Sequence, residues 1–137
     1  MLRAGPIPGF LHGVIEYAAG VLLIVAPFLL GFDDGAATAA SIVMGVVVIA
    51  IAASTAGATG LVDQIAVSVH VALDYFVVVL LIAIPFIFGF SEEGAPTAFF
   101  IALGVAHLLV TIGTRFVRPE ADAGGGAGRG LRRHRSR

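Results

Sequence analysis

Residues 10–32 of the chain read FLHGVIEYAAGVLLIVAPFLLGF, and residues 68–90 read SVHVALDYFVVVLLIAIPFIFGF. Aligned at a constant offset of 58 residues, from His12 to His70, the two stretches share a histidine, a tyrosine, a proline and a Gly-Phe pair. At an offset of 59, residues 35–46 match residues 94–105 in the same way. A bias toward apolar residues would repeat valine and leucine, but it would not repeat these residue types in register. The sequence therefore predicts a duplicated helical hairpin.

Four apolar stretches are long enough to cross a membrane, namely residues 10–32, 36–57, 65–90 and 95–114. A helix needs about 20 residues to cross a hydrocarbon layer of about 30 Å. Lipid offers the backbone no hydrogen-bond partner, so spans are helices or barrel strands, and barrel strands would alternate polar and apolar residues. Two spans return the chain to its starting side, so both repeats enter the membrane in the same direction. We predict an all-α membrane protein with four transmembrane helices arranged as two parallel-repeat helical hairpins.

The composition argues against two alternatives. The chain is 58% hydrophobic and 12% charged, about half the charged share of a soluble domain, and a soluble helical bundle would need polar helix faces that are missing here. A secretory signal peptide would explain Arg3 before an apolar run, but that run is too long for a signal and recurs later in the chain. Because the chain has no cysteine, disulfides, zinc–thiolate sites and cysteine nucleophiles are excluded.

The chain divides into five segments by composition. We expect a short cytoplasmic N-terminus at residues 1–9, the first repeat at 10–57, a linker at 58–64, the second repeat at 65–116 and a disordered basic tail at 117–137. All eight basic residues are arginines, with Arg3 before the first span and seven after residue 114. Basic flanks stay on the cytoplasmic side. We therefore expect a multi-pass protein of the plasma membrane with both termini in the cytoplasm and the acidic turns at residues 33–34 and 92–93 outside.

The glycine- and arginine-rich tail is expected to interact with lipid. Glycine-rich sequence cannot bury enough apolar surface to order itself, and each arginine close to anionic headgroups contributes about 1 kcal/mol of attraction. Nucleic-acid binding is the alternative, but the tail has no aromatic residue, so we predict lipid as its partner and no nucleic acid. The arginines concerned are Arg129, Arg132, Arg133, Arg135 and Arg137.

The two proline segments are Ala-Pro-Phe at residues 26–28 and Ile-Pro-Phe at residues 84–86, each followed by a Gly-Phe pair. With the leading histidine, acid and tyrosine of each repeat, they resemble the SPW-repeat integral membrane proteins of bacteria over about residues 10–115. Alanine and isoleucine stand where the family signature has serine, and phenylalanine stands where it has tryptophan. The resemblance implies a small multi-span protein of the bacterial plasma membrane and carries over no catalytic residue.

Prolines and glycines mark two structural features of the spans. Pro27 and Pro85 each remove a backbone donor near the outer end of a span, so we predict helix kinks there, with a binding site lined by broken helices as the alternative. Gly45 and Gly104 lie in the middle of the second and fourth spans, where small residues permit close helix packing. We expect this packing within the molecule, with packing against a second copy or another protein as the alternative.

Polar side chains recur inside the spans. His12 and Glu16 lie four residues apart, as do His70 and Asp74, so each pair shares one helix face. His107 lies about 10 Å inside the same side of the membrane, and the symmetry of the repeats should bring both pairs toward a common axis. The predicted intramembrane polar cluster contains His12, Glu16, Tyr17, His70, Asp74, Tyr75 and His107.

Three interpretations of this cluster follow from its chemistry. A charge in lipid costs about 2.5–3.5 kcal/mol, so these groups should face inward and find partners. In the first interpretation each histidine hydrogen-bonds its own acid, with the tyrosines nearby, and holds the bundle together. The second is a proton or cation pathway. The third is a bound zinc or iron ion, since histidine and carboxylate suit both, but no HExxH motif is present and we predict no metal and no cofactor.

The sequence indicates no catalytic chemistry. It contains no GxSxG nucleophile motif and no phosphate-binding loop, so we expect no enzyme activity. We predict a small integral membrane protein with a structural or accessory role. We expect the lipid bilayer as its partner, with a second copy or another membrane protein as candidate further partners. The alternative is a minimal proton- or cation-coupled transporter that uses the intramembrane carboxyl and histidine pairs.

Overall fold

The computed structural model describes residues 5–116, which form four long helices and two short strands. The helices are α1 (Gly9–Leu30), α2 (Gly35–Ser54), α3 (Val67–Ile87) and α4 (Gly94–Gly113), and the strands are β1 (Ile7–Pro8) and β2 (Thr114–Arg115). Each helix has 20 to 22 residues, which at 1.5 Å per residue gives about the 30 Å needed to cross a bilayer. All four are apolar enough to do so, which confirms the predicted all-α membrane architecture.

Local chemistry sets the helix ends. Gly31 follows α1 with a φ of 63°, and Gly89 follows α3 with a φ of 77°, a left-handed conformation that glycine adopts at little steric cost. Asp34 caps the start of α2, where its Oδ1 accepts a hydrogen bond of 2.8 Å from the Ala37 N–H. The helices therefore end one to three residues before the apolar stretches do.

Both span prolines lie inside helices. Helix α1 continues for three residues after Pro27, and α3 continues for two residues after Pro85. Pro27 has no N–H, so the Leu23 carbonyl oxygen loses its helical partner. That oxygen instead accepts a hydrogen bond of 2.6 Å from Ser41 Oγ on α2, which ties the proline turn of α1 to its neighbour.

The helices pack as two hairpins, α1 with α2 and α3 with α4, while contacts between α1 and α4 and between α2 and α3 close the bundle. Helices α1 and α2 approach closely at two glycines, and a methyl group on Gly45 would lie 2.6 Å from the Gly20 carbonyl oxygen. A methyl group on Gly104 would lie 2.9 Å from Cγ1 of Ile82 on α3. Each predicted packing glycine thus faces the other helix of its own hairpin. The buried core consists of Leu23, Ala37, Met44, Val48, Val77, Leu81, Ile84, Phe90 and Phe100.

The segments that flank the repeats pair at one end of the bundle. Strands β1 and β2 are parallel, with Ile7 opposite Thr114. Thr55 and Ile65 form a parallel bridge at the equivalent place, since the repeat offsets align Thr55 with Thr114 and Ile65 with Ile7. The start of α1 and the end of α4 therefore lie at the same end, as two parallel repeats require.

Candidate functional site

Five ionisable side chains meet in the bundle near the end where α1 and α3 begin. His12 and Glu16 come from the first two turns of α1, and His70 and Asp74 come from the same turns of α3. His107 reaches the group from α4. These side chains are only 1–6% exposed, because the i, i+4 spacing places each pair on the inward helix face. We call these five residues the polar cluster.

Each histidine of the first and third helices contacts both acids. His12 Nε2 lies 3.6 Å from Glu16 Oε1 and 3.3 Å from Asp74 Oδ2. His70 Nε2 lies 3.4 Å from Glu16 Oε1 and 3.4 Å from Asp74 Oδ1. The two Nε2 atoms are 3.4 Å apart. All four distances between histidine and acid are longer than a charge-assisted hydrogen bond, which has a length of about 2.7–2.9 Å. The structure therefore differs from the expectation that each histidine hydrogen-bonds its own acid.

Two threonines orient the histidine rings from outside the polar cluster. His12 Nδ1 lies 2.9 Å from Thr114 Oγ1, and that hydroxyl donates its hydrogen to the Val110 carbonyl oxygen. His70 Nδ1 lies 2.9 Å from Thr55 Oγ1, which donates to the Ile51 carbonyl oxygen. A hydroxyl has one hydrogen, so each threonine must accept the hydrogen bond from its histidine. Nδ1 therefore carries the ring proton, and in the neutral ring Nε2 presents a lone pair to the polar cluster.

Sequence reasoning missed these threonines, although a signal was present. Thr55 and Thr114 are related by the repeat offset of 59 residues, and each lies four residues after the carbonyl that it bonds. Thr55 lies 15 residues from His70 along the chain, and Thr114 lies 102 residues from His12. At these separations no local pattern predicts the contact. The repeat thus duplicates the supporting hydroxyl as well as the histidine and the acid.

Two buried polar atoms of the polar cluster have no hydrogen-bond partner within residues 5–116. They are Asp74 Oδ2 and His107 Nε2, and His107 Nε2 lies 3.8 Å from the other Asp74 oxygen. Phe116 covers the group edge-on, with its ring centre 5.1 Å from that of His12 and 6.3 Å from that of His70. A cavity of about 250 Å³ reaches His12, Glu16 and His70 from the end of the bundle near Phe116.

The two tyrosines predicted for the cluster lie elsewhere. The Tyr17 hydroxyl donates a hydrogen bond of 3.1 Å to the Thr59 carbonyl oxygen in the linker. Tyr75 is 45% exposed on the outer face of α3. Pro27 and Pro85 lie toward the opposite ends of their helices. The tail arginines predicted to meet lipid headgroups, from Arg129 to Arg137, lie outside the described residues.

The arrangement has the chemistry of a cation site. His12, Glu16, His70 and Asp74 each offer one ligand-type atom, and these atoms all lie within 4.8 Å of one another. Two carboxyl groups in an apolar bundle favour the binding of positive charge. No other group of three or more such residues occurs within residues 5–116.

Comparison with known proteins agrees with the architecture. The family description "SPW repeat domain" matches residues 10–114, a range that contains both hairpins and every member of the polar cluster. No curated protein and no solved structure matches the chain. Since the match extends over more than half of the sequence, the resemblance carried by the proline segments is confirmed, and the chain belongs to the SPW repeat family.

Proposed function

We propose that the protein is a non-catalytic membrane protein with a structural or accessory role, in which the polar cluster joins the two repeats. The observation that carries this proposal is the crossed contact of Glu16 with His70 and of Asp74 with His12. Each histidine lies at least as close to the acid of the other repeat as to its own, so the contacts of the polar cluster extend across the two hairpins. An accessory role also implies a partner, either a second copy or another membrane protein.

The two hydroxyls that contact the histidines within residues 5–116 support a non-catalytic role. A nucleophilic hydroxyl needs a base that accepts its proton. The hydroxyls of Thr55 and Thr114 instead donate to backbone carbonyl oxygens and accept from the histidines. Both are thus positioned to orient the rings.

We propose that the protein lies in the plasma membrane and that both chain ends face the cytoplasm. The pairing of β1 with β2 supports a common side for the two ends. Arg3 and the seven arginines after residue 114 would then flank the membrane at that side, where basic residues are retained.

A second candidate function is proton- or cation-coupled transport through the bundle. The cavity that reaches His12, Glu16 and His70 from one end of the bundle favours it, because a conducted ion needs access to the buried acids. His107 would extend the same group of polar atoms along α4.

Flux measurements separate the two candidates. The full chain is reconstituted in liposomes, and pH- or cation-driven flux is recorded for the wild type, Glu16→Gln and Asp74→Asn. The accessory role predicts no flux above empty liposomes in any of them. Wild-type flux that is lost in Glu16→Gln, but kept when the exposed Glu92 of the outer turn is changed to Gln, would establish the transporter instead. Co-purification from native membranes then identifies the partner of an accessory protein.

A further inference from the structure

The spacing of ligand atoms in the polar cluster matches a metal coordination shell better than a hydrogen-bond network. Tetrahedral zinc holds nitrogen and oxygen ligands at about 2.0–2.2 Å, so neighbouring ligand atoms lie about 3.3–3.6 Å apart. Each histidine Nε2 lies 3.3–3.6 Å from an oxygen of both acids and 3.4 Å from the other Nε2, and one ligand-type atom from each of the four residues lies within 4.8 Å of the rest. We propose that these four side chains form a binding site for one divalent transition metal ion, with zinc as the ion that fits best.

The orientation of the histidine rings provides an independent argument. Thr114 and Thr55 each accept the Nδ1 proton of one ring, so both Nε2 lone pairs point into the same space at a distance of 3.4 Å. Two facing lone pairs repel each other, and a cation between them removes this repulsion. Metal-binding histidines usually donate their other ring N–H to an outer acceptor, which fixes the ring for coordination. Here the two threonines are that outer shell.

The unpartnered carboxylate oxygen is a second independent sign. Asp74 is 1% exposed, and its Oδ2 lies 3.3 Å from His12 Nε2 yet makes no hydrogen bond within the described residues. A buried carboxylate oxygen normally has a partner. A metal ion supplies that partner, and its two positive charges balance the two carboxylates in a region where net charge is costly.

The ligand set selects among metals. Two imidazole nitrogens and two carboxylates, four ligands in all, suit zinc. Calcium and magnesium prefer six or more oxygen ligands. Copper(II) binds most nitrogen and oxygen sites more tightly but favours a square-planar arrangement of ligands. The cavity of about 250 Å³ that reaches His12, Glu16 and His70 gives the ion a path of entry.

The site lies between the repeats, with one histidine and one acid from each. A bound ion would therefore bridge α1 and α3 where each hairpin contributes one histidine and one acid. This inference deepens the proposed structural role and rests on it, since the ion would join the repeats through the same four side chains.

Metal content of the full chain, purified in detergent, tests the site. We expect one zinc per chain by elemental analysis, tight binding of added Zn²⁺ by calorimetry, and the intense visible absorption of tetrahedral Co²⁺ when cobalt replaces zinc. Asp74→Asn and Glu16→Gln are expected to abolish stoichiometric binding. Glu92→Gln in the exposed turn and His134→Asn in the tail are matched controls, and both should keep one zinc per chain.

A second variant tests the site without removing a ligand, so that weaker zinc binding cannot be attributed to misfolding. Thr114→Val keeps the side-chain shape but removes the acceptor that orients His12, so we expect zinc affinity to fall about 10–100-fold while the chain keeps its helical circular dichroism. Thr38→Val on α2 is the control and should leave affinity unchanged. Equal affinity in the wild type and Thr114→Val would overturn the proposed coordination.

The outcomes distinguish this inference from the proposed function. A folded wild-type chain that takes up no zinc and no cobalt overturns the metal site. If Glu16→Gln then still destabilises the bundle, the structural role stands without a metal. A chain that binds one zinc but whose stability is unchanged by a chelator supports the site and contradicts its structural role.

Discussion

At the residue scale, Ser41 replaces a backbone hydrogen bond that Pro27 removes. The Leu23 carbonyl oxygen has no helical N–H partner because of Pro27, and Ser41 Oγ donates to it at 2.6 Å with a side chain that is fully buried. The second repeat is built differently, since Phe100 occupies the position equivalent to Ser41 and carries no donor. Both hairpins therefore contain the proline, but only the first has a serine hydroxyl at the position that bonds the freed carbonyl oxygen.

Removal of this hydroxyl should destabilise the bundle measurably. Ser41→Ala leaves the Leu23 carbonyl oxygen buried without a partner, and we expect a loss of about 1–2 kcal/mol in the free energy of unfolding. Reversible unfolding in mixed detergent micelles measures it. Ser68→Ala removes an exposed hydroxyl and should change stability by less than about 0.5 kcal/mol. Equal losses in the two variants would show that the bond to Leu23 contributes nothing.

At the element scale, the first hairpin is packed more tightly than the second. The carbonyl oxygen of Gly20 lies against Gly45, and the backbone oxygen of Gly45 lies 3.0 Å from where a methyl group on Gly20 would be. In the second hairpin Val78 stands where the first has Gly20, and the nearest atom to Gly104 belongs to the Ile82 side chain. Backbone atoms cannot move aside as a side chain can.

This asymmetry predicts unequal effects of the same substitution. Gly45→Ala pushes a methyl group against the α1 backbone, and we expect it to cost about 1–3 kcal/mol of stability. Gly104→Ala meets a side chain that can change rotamer and should cost less. Parallel unfolding curves of both variants measure the difference. A larger loss for Gly104→Ala would mean that the α1–α2 crossing is looser than its glycines indicate.

At the scale of the whole molecule, both repeats should cross the membrane in the same direction. Because the chain contains no cysteine, single introduced cysteines report on single positions. We expect Asp33→Cys and Glu92→Cys to react with a membrane-impermeant maleimide added to intact cells. Ala58→Cys in the exposed linker should react only after the cells are opened. Labelling of Asp33→Cys and Glu92→Cys from opposite sides would refute the parallel arrangement.

Metal removal should weaken the whole bundle rather than one helix. An ion that binds only the folded state stabilises it by about 2.7 kcal/mol when its free concentration is 100 times the dissociation constant. We therefore expect zinc to raise the unfolding midpoint of the wild type and a chelator to reverse the rise. Asp74→Asn, which lacks one ligand, should show no response to zinc. A similar rise in both proteins would point to binding elsewhere.

Much of the candidate site was predictable from neighbouring residues. The four-residue spacing of His12 with Glu16 and of His70 with Asp74 places each pair on one helix face, and the repeat predicts that the two faces approach. The crossed contacts and the place of Tyr17 and Tyr75 were not predictable. A tyrosine adjacent to Glu16 or Asp74 lies about 100° around the helix from it, so only the packed arrangement shows whether its side chain faces the linker or the lipid.

By itself the sequence determined the number of helices, their bounds to within three residues, and the common direction of the two repeats. Apolar length, turn glycines and an internal duplication are properties of residues near one another in the chain, so they can be seen without coordinates. Only the tertiary structure decided that Thr55 and Thr114 orient the histidines and that four ligand atoms converge within a few ångströms. The rotation and approach of helices that are distant in sequence depend on the packing of the whole bundle, and no local pattern specifies them.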